Sequence, residues 1–399
     1  MNMVYSKNII IILLIVMITY VVSNCIVNTI NKYNEYREHM VNITPINKTI
    51  KWGKDATCKY QMTQAYLDIL KEYSIDETSN GDWSIYFPCT YNNSETEIKK
   101  VNPTSLDQRI FIINNSDAIA SKSNLWKNIV TKYGRDEAKM MSPISYVLYD
   151  NDDLTLFKNE YKPTNLYIMK KNIQRQEGLK ITNDKDEILD GYKKSYVVAQ
   201  ELLQDPYIIK GRKTNLRFYV LLVCQNNEIS LYIHKEGFMY YTKMPFVKNT
   251  LKMWSNVTTG YIERWIYHVN PLTHEDFRNY LDNHDRELLD AEKDLIKTNK
   301  IISEEVFLGI YNLIKKIIIA SDKNICNESK LKDYISFQLF GADIAIDDKL
   351  NPKIMEFNIG PNLATHDGKD SEIKHMVIRD ILKTIKIVPD INNGFIRLI

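Results

Sequence analysis

The sequence is poor in cysteine and lacks the cysteine spacings of metal sites. Its 399 residues include 5 cysteines, an odd number, and none forms a CxxC or CxxH pair of the kind that binds zinc or carries redox chemistry. A disulfide framework is therefore not expected, although the pattern leaves one internal pair open. The positions are Cys25, Cys58, Cys89, Cys224 and Cys326.

Neither sign of charge predominates, and no segment is repeated or of low complexity. The chain has 52 Lys and Arg residues against 50 Asp and Glu residues, so it offers no field that would attract nucleic acid. A hydrophobic content of 44% excludes a disordered or collagen-like chain. At roughly 150 residues per domain, the length allows two or three domains.

Charge is also absent near the amino terminus, from Asn8 to Asn31. The run from Ile9 to Val22 is almost wholly aliphatic, and a helix of about 19 such residues rises about 28 Å, close to the hydrocarbon thickness of a bilayer. We therefore predict a transmembrane helix within residues 1–28 and a single-pass membrane protein whose remaining chain faces the cytosol. The alternative is a cleaved signal peptide with Lys7 in its charged region, but the exit from this run matches a cleavage site poorly.

The rest of the chain is predicted to be mixed α/β (α+β). Its composition divides it into a polar juxtamembrane stalk (29–55), a small α/β domain (56–165), a central region (166–240) and a carboxyl-terminal region (241–399). Apolar residues between Asp285 and Ala320 recur at steps of three and four, which predicts one or two amphipathic helices.

Two carboxylates are predicted to face each other near the carboxyl end. The apolar segments on either side of Asp348–Asn351 are typical of a hairpin. With those four residues as the loop, antiparallel pairing sets Asp347 opposite Pro352 and, further along, Asp343 opposite Glu356. Like charges with Cβ atoms about 5 Å apart destabilise a sheet, so a cation is expected between them.

A divalent metal ion would supply that cation. Asn358 lies two residues beyond Glu356, on the same strand face, and adds a neutral oxygen. Oxygen ligands without His or Cys are typical of Mg²⁺, which often binds together with substrate phosphates. The competing interpretation is an exposed hairpin whose polar residues face water, but Ala345, Ile354 and Phe357 favour a half-buried sheet.

Basic residues on other strands fit a phosphate partner. Lys170 ends an apolar strand and precedes a loop through Gln176–Gly178. Lys213 and Arg217 are four residues apart, and Arg217 enters the next strand. Such cations would neutralise a transferring phosphoryl group. Taken singly, they are equally typical of solvated strand ends or of a charged sheet edge that prevents aggregation.

Two segments together resemble the tubulin tyrosine ligase-like family, whose fold is an ATP-grasp. One is Gln200–Leu222, which contains Gly211-Arg212-Lys213 followed by Leu216-Arg217. The other is Phe337–Pro361, which contains Phe340-Gly341-Ala342-Asp343 and Glu356-Phe357-Asn358. The resemblance extends over roughly 168–382 and implies an ATP-grasp ligase with a small amino-terminal domain.

The resemblance also implies roles for particular residues. It makes Asp343, Glu356 and Asn358 the Mg²⁺ ligands, a set that the hairpin register reaches independently. For ATP, it makes Lys170 and Lys213 the phosphate-binding lysines and assigns the hinge beside the adenine to Gln200, Glu201, Leu202 and Leu203. Arg217 becomes an active-site arginine, with Lys213 beside it in the catalytic set. The family reaction joins a free amino acid, such as glutamate or tyrosine, to a protein carboxylate such as a tubulin tail.

This sequence departs from the family pattern at several places. The glycine-rich loop is reduced to Gln176-Glu177-Gly178, which makes a close approach of backbone to phosphate less assured. Asn215 and Tyr240 stand where the family commonly has aspartate and arginine, and Asn256–Thr259 replaces a characteristic stretch. These changes lie where the acceptor or the incoming amino acid would be held.

We therefore predict an ATP- and Mg²⁺-dependent carboxylate-amine ligase and keep three alternatives. The first is a nucleotide-binding pseudoenzyme of the same fold. The second is an ATP-grasp ligase for a non-tubulin acceptor. The third is a lumenal membrane glycoprotein that uses the sequons at Asn42, Asn47 and Asn256.

Overall fold

The computed structural model describes residues 49–399 except 60–61, 91–92, 174–177 and 261. All described residues belong to one compact unit within Ile43–Ile399. The domain boundaries predicted within that unit stay predictions.

The described strands are short near the amino terminus and long in the centre. They are β1 (Lys51–Gly53), β2 (Asp76–Glu77), β3 (Ile85–Tyr86), β4 (Arg109–Ile110), β5 (Ser145–Val147), β6 (Tyr167–Lys170), β7 (Leu179–Thr182), β8 (Val198–Glu201), β9 (Ile208–Ile209), β10 (Arg212–Gln225), β11 (Glu228–Thr242), β12 (Thr258–Thr259), β13 (Ile335–Ile346), β14 (Pro352–Ile359) and β15 (Phe395–Arg397).

The described α-helices range from one turn to more than five. They are α1 (Gln64–Glu72), α2 (Ser94–Lys100), α3 (Asp117–Ala120), α4 (Lys122–Tyr133), α5 (Arg135–Met141), α6 (Asn151–Glu160), α7 (Lys185–Leu189), α8 (Met253–Asn256), α9 (His274–Asp282), α10 (Asp290–Lys297), α11 (Ile302–Ser321) and α12 (Gly368–Thr384).

Two sheets organise the described residues. The larger sheet has the order β12-β11-β10-β13-β4-β3-β1-β2, with β14 beside β13, β15 beside β11 and β9 beside β10. The smaller, antiparallel sheet has the order β5-β8-β6-β7. The mixed α/β class predicted from the sequence is thus confirmed, and the amino-terminal strands extend the larger sheet through β4, which runs parallel to the start of β13.

The core lies where long apolar strands meet an amphipathic helix. Strand β13 is buried along its whole length, and β10 pairs with it over ten residue pairs. The predicted helical region is two helices, α10 and α11, and α11 packs against α4, α9 and β14. Its buried face is Ile302, Val306, Phe307, Ile310, Leu313, Ile314, Ile317 and Ile318.

The hairpin of β13 and β14 differs from its predicted register at the loop but agrees at the carboxylates. The loop has one more residue than predicted, because Ile346, not Asp347, is opposite Pro352. A bulge at Met355 then restores the pairing, so that Asp343 lies opposite Glu356 as predicted. One extra residue in the loop and one in the strand cancel.

Four of the cysteines form two disulfides, where the sequence suggested at most one internal pair. Cys58 is bonded to Cys89 and Cys224 to Cys326, with Cα atoms 5.5 Å and 5.3 Å apart. Their sequence separations of 31 and 102 residues are not readable from local spacing, which explains the difference.

The predicted membrane helix and single-pass localisation are corrected here. In the part of the chain that the structure describes, no helix combines the length and the apolar composition of a membrane span. The 20-residue α11 carries Glu304, Glu305, Lys315 and Lys316 and buries its apolar side in the protein core. Residues 1–28, on which the prediction rested, lie outside the described residues.

Candidate active site

A cavity of about 770 Å³ lies between the two sheets. This volume is typical of sites for small molecules and cofactors. The smaller sheet contributes Ile168, Lys170, Leu179 and Glu201, the larger sheet contributes Lys213, Asn215, Arg217, Asp343, Glu356 and Asn358, and the amino-terminal elements contribute Tyr66, Phe87, Phe111 and Lys122. The cavity is therefore apolar in part, with charged groups that converge on it from different elements.

The three side chains predicted as oxygen ligands, Asp343, Glu356 and Asn358, lie together on one face of β13 and β14, with the Asn358 amide nitrogen toward the two carboxylates. Asn358 Nδ2 is 3.2 Å from Glu356 Oε1 and 3.4 Å from Asp343 Oδ2. Burial raises the pKa of Asp343 despite a neighbouring arginine. Burial also raises the pKa of Glu356, but Lys122 and Lys170 outweigh it, so the net direction is downward.

Arg217 holds Asp343 through both carboxylate oxygens. Its Nε donates to Oδ1 at 2.5 Å and its Nη2 to Oδ2 at 2.9 Å. Gly341 makes room for this arrangement, since a Cβ there would lie 3.1 Å from Arg217 Cδ and 3.0 Å from Pro361 Cβ. The bidentate pair supplies part of the positive charge that the facing carboxylates require.

Lys170 and Lys213 are buried ammonium groups on opposite sheets. Lys170 Nζ donates to Gln200 Oε1 at 2.7 Å, and Lys213 Nζ donates to the Leu203 carbonyl at 3.3 Å. Burial lowers the pKa of Lys170 to about 8. Burial and then the charge of Lys170 lower the pKa of Lys213 to about 7. Two buried cations that repel each other indicate a site that an anion would stabilise.

The predicted hinge segment lies beside the cavity, but only half of it lines the cavity wall. Glu201 and Leu202 line the cavity, whereas Gln200 and Leu203 contact its lysines from behind. Gln200 is held in turn by Ser145, whose Oγ accepts from its Nε2 at 3.0 Å. Leu202 belongs to a small apolar cluster against which Val257 packs.

Sequence reasoning missed Lys122, which adds a further cation. It begins α4, its Nζ lies 3.7 Å from Glu356 Oε2, and it donates to the Ile173 carbonyl at 3.1 Å. Ile173 immediately precedes residues 174–177, which lie outside the described part. No local pattern marks this lysine, because only the tertiary fold brings it to the carboxylates.

Among the positions that depart from the family pattern, Asn215, Tyr240 and Asn256–Thr259 line the same cavity. Asn215 lies between Lys213 and Arg217 on one face of β10, and the ring centroid of Tyr240 is 5.0 Å from the Arg217 guanidinium. Among described residues, the buried Oδ1 atoms of Asn215 and Asn256 have no hydrogen-bond partner. Asn256 is 2% exposed, which argues against its use as a glycosylation site.

The donor set suits Mg²⁺ in its chemistry. In the described residues no group of three or more His, Cys, Asp or Glu side chains could hold a metal ion. Two carboxylates and an amide oxygen are hard ligands, and the nearby lysines suit the phosphates that commonly complete a magnesium shell. The assignment of these residues as metal ligands stays a prediction.

Two sheets that enclose a cavity with buried lysines opposite paired carboxylates define a mixed α/β protein with a site suited to a phosphorylated ligand. More particularly, the chain belongs to the tubulin-tyrosine ligase family, whose sequence description it matches over residues 99–393. The family expected from the sequence is confirmed.

Individual relatives are distant. The chain is 26% identical over 278 residues to tubulin monoglutamylase TTLL4 of Mus musculus, which covers 66% of this chain and 22% of that protein. It is 22% identical over 310 residues to tubulin glycylase 3B of Drosophila melanogaster, covering 75% and 39%. It is 24% identical over 302 residues to a probable beta-tubulin polyglutamylase of Tetrahymena thermophila, covering 70% and 24%. The chain thus spans well under half the length of these relatives.

Proposed function

We propose that the protein is an ATP- and Mg²⁺-dependent ligase that joins an amino acid to a carboxylate of an acceptor protein. The observation that carries this proposal is the facing pair of Asp343 and Glu356 in one cavity with the buried cations Lys170, Lys213 and Arg217. A site with several cations around two carboxylates suits a polyphosphate bound with a divalent ion.

The proposed assignment gives each group one task. Asp343, Glu356 and Asn358 would hold Mg²⁺, which supplies charge neutralisation and orients the phosphates. Lys170, Lys213 and Lys122 would contact phosphate oxygens. The segment Gln200–Leu203 would lie beside the adenine, and Arg217 would neutralise the phosphoryl or acceptor charge.

The proposed reaction has two steps and needs no covalent bond to the enzyme. A carboxylate oxygen of the acceptor attacks the γ-phosphorus of ATP, and ADP leaves as an acyl phosphate forms. The amino nitrogen of the incoming amino acid then attacks the acyl carbon, inorganic phosphate leaves, and the nitrogen loses a proton to give the amide. Fixed cations in the cavity would stabilise the charge on the phosphoryl oxygens.

We propose glutamate as the incoming amino acid and a tubulin tail as the acceptor. This finer assignment is supported by the names of distant relatives, which include glutamylases and a glycylase. Tyrosine as the amino acid and a non-tubulin acceptor are the alternatives.

The test is label transfer by the full chain. The protein is incubated with ATP, MgCl₂, tubulin and labelled glutamate, glycine or tyrosine, beside the variants Glu356→Gln and Glu372→Gln. Glu372 is an exposed glutamate on α12 and serves as the matched control. We expect transfer of glutamate, reduced at least about 100-fold in Glu356→Gln because charge stabilisation in the transition state is lost, and unchanged in Glu372→Gln.

Other results would select an alternative. Incorporation that is equal in Glu356→Gln and in the unmodified protein would remove the proposed metal role. ATP binding without ADP release, whatever acceptor is supplied, would identify a pseudoenzyme. ADP release that needs a different protein or a small carboxylate would identify another acceptor.

A further inference from the structure

The cavity has a second charged region, separate from the phosphate-facing cations, that the proposed function leaves unassigned. Its residues are Arg264, Tyr267, Asp370 and Lys374, and we refer to them as the Lys374 region. None was singled out from the sequence, because they come from the segment after β12 and from α12.

Lys374 is a buried cation on the wall of this region. It is 5% exposed, and its Nζ donates to Asp370 Oδ2 at 2.9 Å and to the Ala364 carbonyl at 2.5 Å. An ammonium group has three N–H donors, so these two bonds leave one donor for the cavity. Its Nζ lies 5.7 Å from the Phe238 ring centroid, and Phe238 pairs with Arg217 across β10 and β11. Lys374 therefore lies near Phe238, whose partner across the strand pair is Arg217 of the proposed reaction centre.

Arg264 brings a second cation to the same region. It forms an ion pair with Asp367, and its guanidinium lies 5.0 Å from the Tyr267 ring centroid. Burial lowers the pKa of Lys374, and the neighbouring Asp370 raises it. The charge of Arg264 also lowers this pKa, so the two cations lie within electrostatic range of each other. Because Arg264 is half exposed at the cavity margin, it can turn toward a ligand.

The charges of the Lys374 region balance once Asp367 is included, which pairs with Arg264 but does not itself line the cavity. Two cations, Arg264 and Lys374, stand beside two carboxylates, Asp367 and Asp370. A strongly acidic peptide would favour a region with excess positive charge, whereas a zwitterion matches one that offers both signs. A free amino acid carries an α-carboxylate and an α-ammonium group, and every amino acid shares them.

We propose that Lys374 and Arg264 bind the α-carboxylate of the incoming amino acid and so position its amino group beside the acyl phosphate. This inference rests on the proposed ligase function and names the residues that bind its second substrate. The assignment concerns binding only, and no bond is made or broken at these residues.

The experiment measures binding rather than turnover. The full chain is loaded with Mg²⁺ and a non-hydrolysable ATP analogue and titrated by calorimetry with glutamate, glycine, tyrosine and glutamic acid α-amide, in which the α-carboxylate is neutral. We expect Lys374→Met and Arg264→Gln each to weaken the amino acid that binds by about tenfold, the typical value of a hydrogen bond to a charged group. Affinity for the nucleotide analogue should stay within about twofold.

The α-amide and a control lysine give the test its specificity. The unmodified protein should bind the α-amide about as weakly as Lys374→Met binds glutamate, and Lys374→Met should lose little further affinity for it. Lys369→Met is the matched control, because Lys369 lies on α12 but pairs with Asp276 at 2.8 Å outside the cavity lining. Arg264→Gln changes a half-exposed side chain and keeps the test valid if Lys374→Met does not fold.

Three results would overturn the inference. The first is unchanged amino-acid affinity in both variants, and the second is an equal loss for glutamate and its α-amide. The third is a loss confined to an acidic acceptor peptide, which would assign these cations to the acceptor. Failure of the unmodified protein to bind the nucleotide analogue would instead contradict the proposed function itself.

Discussion

Lys213 is a buried ammonium group whose charge depends on what occupies the cavity. Its pKa is lowered to about 7 by burial and by the charge of Lys170, so the unliganded side chain loses its proton as the pH rises through that value. A bound phosphate favours the charged form and should raise the pKa again. We therefore expect nucleotide binding near pH 8 to take up close to one proton at Lys213, with affinity falling by up to about tenfold per pH unit above 7.

Calorimetry in two buffers with different ionisation enthalpies measures this proton uptake. Lys213→Arg is the matched variant, because a guanidinium stays charged, and it should bind nucleotide without taking up a proton at this position. Equal uptake by both proteins would contradict the prediction. The free energy of unfolding depends on pH in the opposite direction to nucleotide affinity. The unfolded chain keeps this lysine protonated up to about pH 10, so Lys213 makes the unliganded protein more stable as the pH rises from about 7.

The sequence identifies some residues of the candidate site and misses others. Asp343, Glu356 and Asn358 follow from counting along one hairpin, since their neighbours in space are neighbours in sequence. Lys122 and Lys374 could not be found in this way. Each comes from a helix whose position relative to the hairpin is fixed only by tertiary packing, and neither carries a local pattern that separates it from a surface lysine.

In the hairpin of β13 and β14, a bulge in one strand restores the strand register that the longer loop has shifted. The five-residue loop shifts the strands by one position, and the bulge at Met355 shifts them back. Met355 and Glu356 consequently both line the cavity, while Ile354 and Phe357 are buried in the core. A bulge of this kind directs a side chain toward a site, and the alternation of apolar residues alone does not reveal it.

Deleting Met355 tests that arrangement. Without the bulged residue, Ile354 and Glu356 become consecutive, and we expect Glu356 to stay opposite Asp343 on the cavity face. Mg²⁺ stimulation of nucleotide binding should persist. Nucleotide affinity should fall by roughly tenfold, because Met355 is half-buried in the cavity wall and an apolar side chain that a ligand covers contributes about 1.5 kcal/mol or more. Titration with and without Mg²⁺ measures both quantities.

The substitution Met355→Ala is the control for this deletion, since it removes the side chain and keeps the register. It should reproduce the loss of affinity. If the deletion abolishes the Mg²⁺ effect while Met355→Ala retains it, the bulge itself is needed to set the carboxylates, and the expectation is wrong.

At the scale of the whole molecule, the sequence predicted the mixed class and the central strands but not how distant parts join. Strands β10, β11, β13 and β14 are long and largely apolar, and they are joined by short turns or by a segment with amphipathic helices, so their pairing follows from pattern and proximity. Strands β2, β3 and β4 have two residues each, too few for a periodicity signal. They join the central strands through β4, whose Arg109 lies beside Ile335, a residue more than 200 positions further along the chain.

The two disulfides join distant parts of the chain covalently. Removing them tests how much the stability of the folded protein depends on these bonds. Cys224 near the end of β10 is joined to Cys326 across 102 residues, and Cys58 is joined to Cys89 across 31. A cross-link that closes a longer loop restricts the unfolded chain more, so Cys224→Ala/Cys326→Ala should lower the free energy of unfolding by about 2–5 kcal/mol, roughly 1 kcal/mol more than Cys58→Ala/Cys89→Ala.

Urea unfolding with and without dithiothreitol measures both differences, and the reductant should bring the unmodified protein to or below the stability of either double variant. Thiol titration of the unreduced, denatured chain should find at most one thiol for its five cysteines, because four of them are paired. Five titratable thiols, together with no effect of reductant, would show that these bonds do not form in solution.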